Sequence, residues 1–212
     1  MTDIRVNTQS SIQLTGSKVL YFDPWKLSGD APKADVIFVT HNHFDHFSPE
    51  DIVKIMTGET MIAVPEKMAD DVLSKTGIPA ERLLAVVPGQ QYSVNGVSFE
   101  TVPAYNRLKP FHPKRDGWCG YVAELDGERF YVMGDTDETP ESLNVKCDVL
   151  LLPIGGTYTM DCRQAAEYTC RVMPKLAVPT HYGDVVGKAS DGESFRKLVS
   201  AKAPEINVEI KL

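Results

Sequence analysis

Thr40-His41-Asn42-His43-Phe44-Asp45-His46 gathers three of the chain's five histidines and an aspartate directly behind the run Asp35-Val36-Ile37-Phe38-Val39. That run is continuously β-branched and aromatic, the composition of a strand buried on both faces. Polar donors at the end of such a strand stand where α/β sheets place their ligands. On extended backbone alternate side chains point the same way, so His41 and His43 can converge on one point. After a turn, Asp45 and His46 can face a second point close by. Imidazole nitrogens with a carboxylate suit zinc or another borderline divalent metal. Helix capping or simple exposure accounts for Asp45 or His46 taken singly, but not for three histidines and an acid together.

Outward from this cluster, strands and helices alternate. On the N-terminal side, Ile4–Val6, Ser11–Leu14 and Val19–Phe22 read as short strands separated by turn signals, and Asp23-Pro24-Trp25 ends them. On the C-terminal side, Ser48 is an N-cap with Pro49 at the first helical position, which predicts a helix to about Met56. A strand at Met61–Val64, a helix over Pro65–Lys75 stopped by Gly77, and strands at Leu83–Val87 and Val97–Val102 follow. Asp126-Gly127 predicts a hairpin between Gly120–Leu125 and Glu128–Met133, and it leads straight into Gly134-Asp135. A strand at Asp148–Pro153, a helix from the N-cap Asp161 to about Met173, a strand at Leu176–Pro179 just before His181, a helix over 191–202 and a last strand at Asn207–Lys211 complete the chain. Two halves of strands followed by helices, with no linker between them, predict one α/β domain over residues 1–212, with packed sheets inside and helices outside.

The 22 Lys+Arg against 29 Asp+Glu leave a net charge of −7, which excludes attachment to nucleic acid or to an anionic membrane by bulk charge. No window approaches 18 consecutive apolar residues, and the opening MTDIRVNTQSS has neither the basic nor the apolar region of a signal peptide. Cys119, Cys147, Cys162 and Cys170 form no C-x-x-C pair, so reduced thiols and a cytoplasmic location are expected.

Asp135 and His181 each follow an expected strand. Alone, either is compatible with a turn acid or a capping histidine, but beside H-x-H-x-D-H they read better as ligands. With these residues the chain resembles the metallo-β-lactamase superfamily, through Asp23-Pro24, THNHFDH at 40–46, GDTD at 134–137, LPIGGTYTM at 152–160 and VPTHYG at 178–183. Within it, the chain looks most like the small bacterial and archaeal hydrolases similar to ascorbate-phosphate lactonase. The resemblance implies a four-layer αββα sandwich holding one or two divalent ions, zinc foremost, with manganese or iron compatible. It implies that His41 and His43 serve a first metal and Asp45, His46 and His181 a second, with Asp135 bridging. One position departs from the pattern. Where the superfamily carries a histidine after a V-P-A-like stretch, Val102-Pro103-Ala104 runs into Tyr105 and Asn106, so the first site is expected to have lost a ligand and to fill less tightly.

Residues 103–118 have three prolines and no apolar period, and loops of this length in compact domains are usually functional. His112 in this loop is the one histidine without an assignment. It can supply the missing ligand, serve as a general acid alongside a catalytic Asp45, bind substrate, or be an ordinary surface residue. Arg107, Lys109, Lys114 and Arg115 against Asp116 give the loop a net of +3, which predicts a small anionic substrate contacted by Tyr105, Asn106, Arg107, Lys114 and Tyr158. The expected activity is hydrolysis of a small lactone, ester or phosphodiester by metal-activated water. The alternatives are a nuclease or phosphodiesterase of the same superfamily, or a non-catalytic metal-binding relative; no nucleic-acid or membrane partner is expected.

Overall fold

In the computed structural model, which describes residues 2–212, the strand before the histidine cluster shows how the sequence makes layers. Within β4 (Val36–Phe38) and the residue after it, Val36 and Phe38 enter one apolar cluster, whereas Ile37 and Val39 enter another on the opposite face. β11 (Val149–Pro153) divides in the same way, Val149 and Leu151 to one side and Leu150 and Leu152 to the other. Strands buried on both faces must be covered on both, and the chain does so with two sheets and two helical layers.

The first sheet has six strands in the order β1 (Asp3–Thr8), β2 (Ser11–Thr15), β3 (Val19–Phe22), β4, β5 (Met61–Pro65) and β6 (Leu83–Val86), parallel from β3 onward. The second has seven, in the order β13 (Asn207–Val208), β12 (Leu176–Thr180), β11, β10 (Glu128–Val132), β9 (Cys119–Leu125), β8 (Val97–Pro103) and β7 (Gln91–Val94). β10 to β13 are parallel, and β7 to β10 antiparallel. Between the sheets, Phe38 stacks on Phe22 at 4.7 Å and meets Phe99 and Tyr121 at 5.0 Å each. α1 (Pro49–Ile55) and α2 (Ala69–Thr76) cover the outside of the first sheet through Ile52, Ile55 and Val72. α3 (Pro140–Leu143), α4 (Cys162–Val172) and α5 (Asp191–Lys202) cover the second through Leu143, Tyr168, Phe195 and Val199. The architecture is the expected αββα sandwich.

Several boundaries differ from the sequence expectation. Pro65 stays in β5, in register with Val86 of β6, so α2 begins only at Ala69, after a 3₁₀ turn at Glu66–Met68. β8 continues through Pro103, and the last strand closes after Val208 instead of reaching Lys211. The hairpin of β7 and β8 was not expected. Its turn is Asn95-Gly96, both at positive φ, a strong hairpin signal once the weakly apolar QYSV is admitted as a strand. α3 was also unexpected, although Thr139 and Ser142 form its capping box and Pro140 opens it.

The topology brings the chemistry together. His41 follows β4, Asp135 follows β10 and His181 follows β12, all at the carboxyl ends of parallel strands. Tyr121 fastens the sheets at that edge by donating its hydroxyl to the Val39 carbonyl at 2.8 Å. Gly134 permits the close approach: its φ is +65°, and a Cβ there would lie 3.0 Å from the Cβ of Thr40.

Candidate metal centre

Two groups of donors form at this edge. His41 Nε2 lies 3.0 Å from His43 Nδ1, which lies 3.3 Å from His112 Nε2. In the second group, His181 Nε2 is 3.3 Å from Asp45 Oδ2, and His46 Nε2 is 3.7 Å from the same oxygen. Asp135 stands between the groups. Its Oδ1 is 3.4 Å from His46 Nε2 and 3.3 Å from His181 Nε2, while its Oδ2 is 3.5 Å from His112 Nε2. Within each group, one donor atom per residue can be chosen so that all lie within 4.8 Å of one another.

The placement of His112 corrects the expectation of a depleted first group. The loop after β8 folds back with His112 at a φ of +54°, and its ring is buried beside His41 and His43. Asn106 is not a donor to that group. Its side-chain amide donates to the Tyr158 carbonyl at 2.7 Å and lies 3.2 Å from His112 Nδ1, and its backbone N–H donates to the His112 carbonyl at 2.9 Å. It therefore holds the ring that takes the place expected of it. Trp118 packs against the same three rings, with centroids 4.9 Å from His41, 5.2 Å from His43 and 5.5 Å from His112.

The residues behind the donors aim them. Asp23, fully buried, accepts from Thr40 N, Thr40 Oγ1 and His46 Nδ1, each at 2.7 Å. This leaves His46 Nε2 facing the centre, the arrangement by which a carboxylate fixes the tautomer and orientation of a metal-binding histidine. Asp23-Pro24 was legible as a strand end, but its role appears only with the fold. His181 sits at a φ of +56° and is tied to the first sheet by donating its backbone N–H to the Gln9 carbonyl at 2.9 Å.

Burial lowers the pKa of His41, His43 and His112, neighbouring histidines adding to the effect, so their ring nitrogens offer lone pairs near neutrality. Burial alone would also lower His46, but Asp135, Asp23 and Asp45 outweigh it and raise the ring to about 9. Burial opposes ionisation of Asp45, yet His181 and His46 hold its carboxyl far below the usual carboxylate range. A divalent cation fits this donor set. His46 Nε2, Asp135 Oδ1 and His181 Nε2 face the centre and are buried without a hydrogen-bond partner, a costly condition that a shared cation relieves.

A cavity of about 270 Å³ opens over the centre, lined by His43, Phe44, Asp45, Phe111, His112, Asp135, Tyr158, His181 and Val185. Of the residues expected to contact substrate, Tyr158 lines it and Asn106 lies buried behind it. Tyr105, Arg107 and Lys114 do not line it. Tyr105 and Lys114 both bind Glu141, Lys109 pairs with Asp137, and Arg107 lines a separate groove with Asp137 and Glu138. Two of the loop's four cations, Lys109 and Lys114, are thus paired with acids from the β10–α3 connection and from α3 itself, and with no lysine or arginine lining it the cavity lacks the expected positive rim. Phe44 and Val185 were missed as lining residues; Phe44 was legible inside the histidine cluster, but nothing near Val185 marked it.

Residues 7–181 match the model of the β-lactamase superfamily domain. A UPF0173 metal-dependent hydrolase of Thermococcus onnurineus is 32% identical over 221 residues, covering 97% of this chain and 96% of that one. A crystal structure from Parabacteroides distasonis, of a protein named as a metal-dependent hydrolase, superposes with a TM-score of 0.84 at 31% identity and covers 100% of this chain and 93% of its own. A metallo hydrolase from Ignicoccus hospitalis shares the fold, with a TM-score of 0.80 at 22% identity over 99% of this chain and 94% of that one. Among the described residues no helix is long and apolar enough to cross a membrane. With its donor-bearing strand ends inside the matched region and full-length likeness to these relatives, the chain belongs to the β-lactamase superfamily and, within it, to the UPF0173 metal-dependent hydrolases.

Proposed function

We propose that the protein hydrolyses a small lactone or ester at a centre of two divalent ions, one held by His41, His43 and His112, the other by Asp45, His46 and His181, with Asp135 shared. The observation that carries this reading is the geometry of Asp135, which turns one oxygen to each donor group. Nitrogen donors outnumber carboxylates, which favours zinc, with manganese or iron compatible. A cation bound there supplies Lewis acidity and brings the ionisation of a water near neutral pH. His112 is a ligand in this reading and not the general acid expected from its loop position. Asp45, held ionised by His46 and His181, is the carboxylate able to orient that water or take its proton. Phe111 and Tyr158, edge to face at 4.8 Å, shield the reacting atoms from bulk solvent.

The net charge of −7 argues against a nuclease, and four unpaired cysteines favour a reducing, cytoplasmic setting. The test is removal of metal with a chelator, reconstitution with zinc, manganese or iron, and assay against lactones, aryl esters and bis-p-nitrophenyl phosphate. Two bound equivalents and metal-restored ester or lactone hydrolysis are expected. Preference for the phosphodiester would make it a phosphodiesterase, and two equivalents without turnover a binding protein. His112→Ala should reduce bound metal to about one equivalent; unchanged metal with lost turnover would return His112 to the role of acid.

A further inference from the structure

We propose that the site selects a neutral substrate with an apolar acyl or aryl group beside the bond that is cleaved, an inference that rests on the hydrolase reading above. Five of the nine cavity-lining residues are the candidate donors, and the other four are Phe44, Phe111, Tyr158 and Val185, with no lysine or arginine among them. Phe44, Phe111 and Val185 are 65%, 43% and 40% exposed, and they account for three of the seven large exposed hydrophobic side chains among the described residues. Scattered singly such residues need no explanation, but their convergence on one cavity mouth does.

These walls come from separate parts of the chain and are braced. Phe44 meets Trp25 edge to face at 5.7 Å, and Phe111 meets Tyr158 in the same manner at 4.8 Å. Lys26 lies over the ring of the same Trp25 and is bound by Asp184 at 2.5 Å, next to Val185. Lys109 and Lys114 are paired with Asp137 and Glu141. Among the described residues no lysine or arginine lines the cavity to receive an anionic group on the substrate tail, whereas an alkyl or aryl tail meets the apolar surface of Phe44, Phe111, Tyr158 and Val185. Desolvating a carboxylate against Phe44, Phe111 and Val185 without a partner would cost binding.

Hydroxamates chelate metal centres and carry a variable tail, so they probe the walls independently of turnover. Binding of acetohydroxamate, hexanohydroxamate and the ω-carboxylate analogue of the latter to the metal-loaded protein is measured by calorimetry, with kcat/KM for p-nitrophenyl acetate and hexanoate measured alongside. A fully buried methylene is worth roughly fourfold in affinity, so four added methylenes, partly covered, should tighten binding at least tenfold. The terminal carboxylate should abolish that gain. Phe111→Ala and, on a separate loop, Val185→Ser should each reduce the hexano-to-aceto ratio by about threefold or more, with metal content unchanged. If the hydroxamate ratio holds but neither ester is turned over, the apolar pocket stands and the hydrolase reading falls. A flat hydroxamate series, or tighter binding of the ω-carboxylate, overturns the inference.

Discussion

Replacing Asp23 with asparagine keeps the volume of a fully buried side chain while removing its charge. The carboxylate accepts three hydrogen bonds of 2.7 Å, from Thr40 N, Thr40 Oγ1 and His46 Nδ1. An amide in that position has one oxygen, and its NH₂ group must face at least one of those donors. A buried donor left unsatisfied costs about 1–3 kcal/mol. Borne by His46, that loss frees the ring to turn and weakens its Nε2 as a donor, and removal of such outer partners typically lowers metal affinity about 10- to 100-fold. Asp23→Asn should therefore weaken by that factor only the ion served by Asp45, His46 and His181. The ion held by His41, His43 and His112 should keep its affinity, since Asp23 reaches that group only through Thr40, whose Oγ1 is 2.9 Å from His41 Nδ1. Competition against a chromophoric chelator resolves the two equivalents, and circular dichroism checks that the fold persists. Equal weakening of both ions, or no change in either, would refute the argument that Asp23 works by aiming His46.

The raised pKa of His46, about 9 in the metal-free protein against an ordinary value near 6.5, makes metal uptake compete with a proton. Affinity should rise with pH up to about 9, and calorimetry in buffers of different ionisation enthalpy should show proton release at pH 7.5. By the same linkage, the stability that charged His46 gives the metal-free protein is fully present below about 6.5 and lost as pH rises through about 9, read as a falling Tm in the presence of chelator. Gly134→Ala should displace Asp135, because the new Cβ sits 3.0 Å from Thr40 at a φ of +65°, and metal analysis should show reduced content in a protein that still folds. Phe38→Ala removes the ring stacked on Phe22 and bordered by Phe99 and Tyr121, and should destabilise the protein by about 3–5 kcal/mol in urea unfolding.

What the chain determined by local pattern was the layered fold and most of the donor set. His41, His43, Asp45 and His46 directly follow a strand buried on both faces, and Asp135 and His181 follow strands of the same kind, so position at strand ends marked them as candidate ligands, while their division between two ions was implied by the family resemblance. Period-two burial, capping residues at Ser48 and Asp161, and the Asp126-Gly127 turn are short-range effects that a linear reading can see. The remaining features depend on contacts that close over long separations. His112 meets His43 across 69 positions because an irregular loop bends back at positive φ, for which a single histidine among prolines and lysines carries no periodic signal. The charge of that loop looked free in the sequence, but Lys109 and Lys114 are paired in space with Asp137 and Glu141, since ion pairs follow proximity and not order along the chain. For the same reason only part of the apolar mouth was legible: Tyr158 was expected beside the substrate, but Phe44, Phe111, Tyr158 and Val185 become one surface only when the two sheets bring their loops to a common edge.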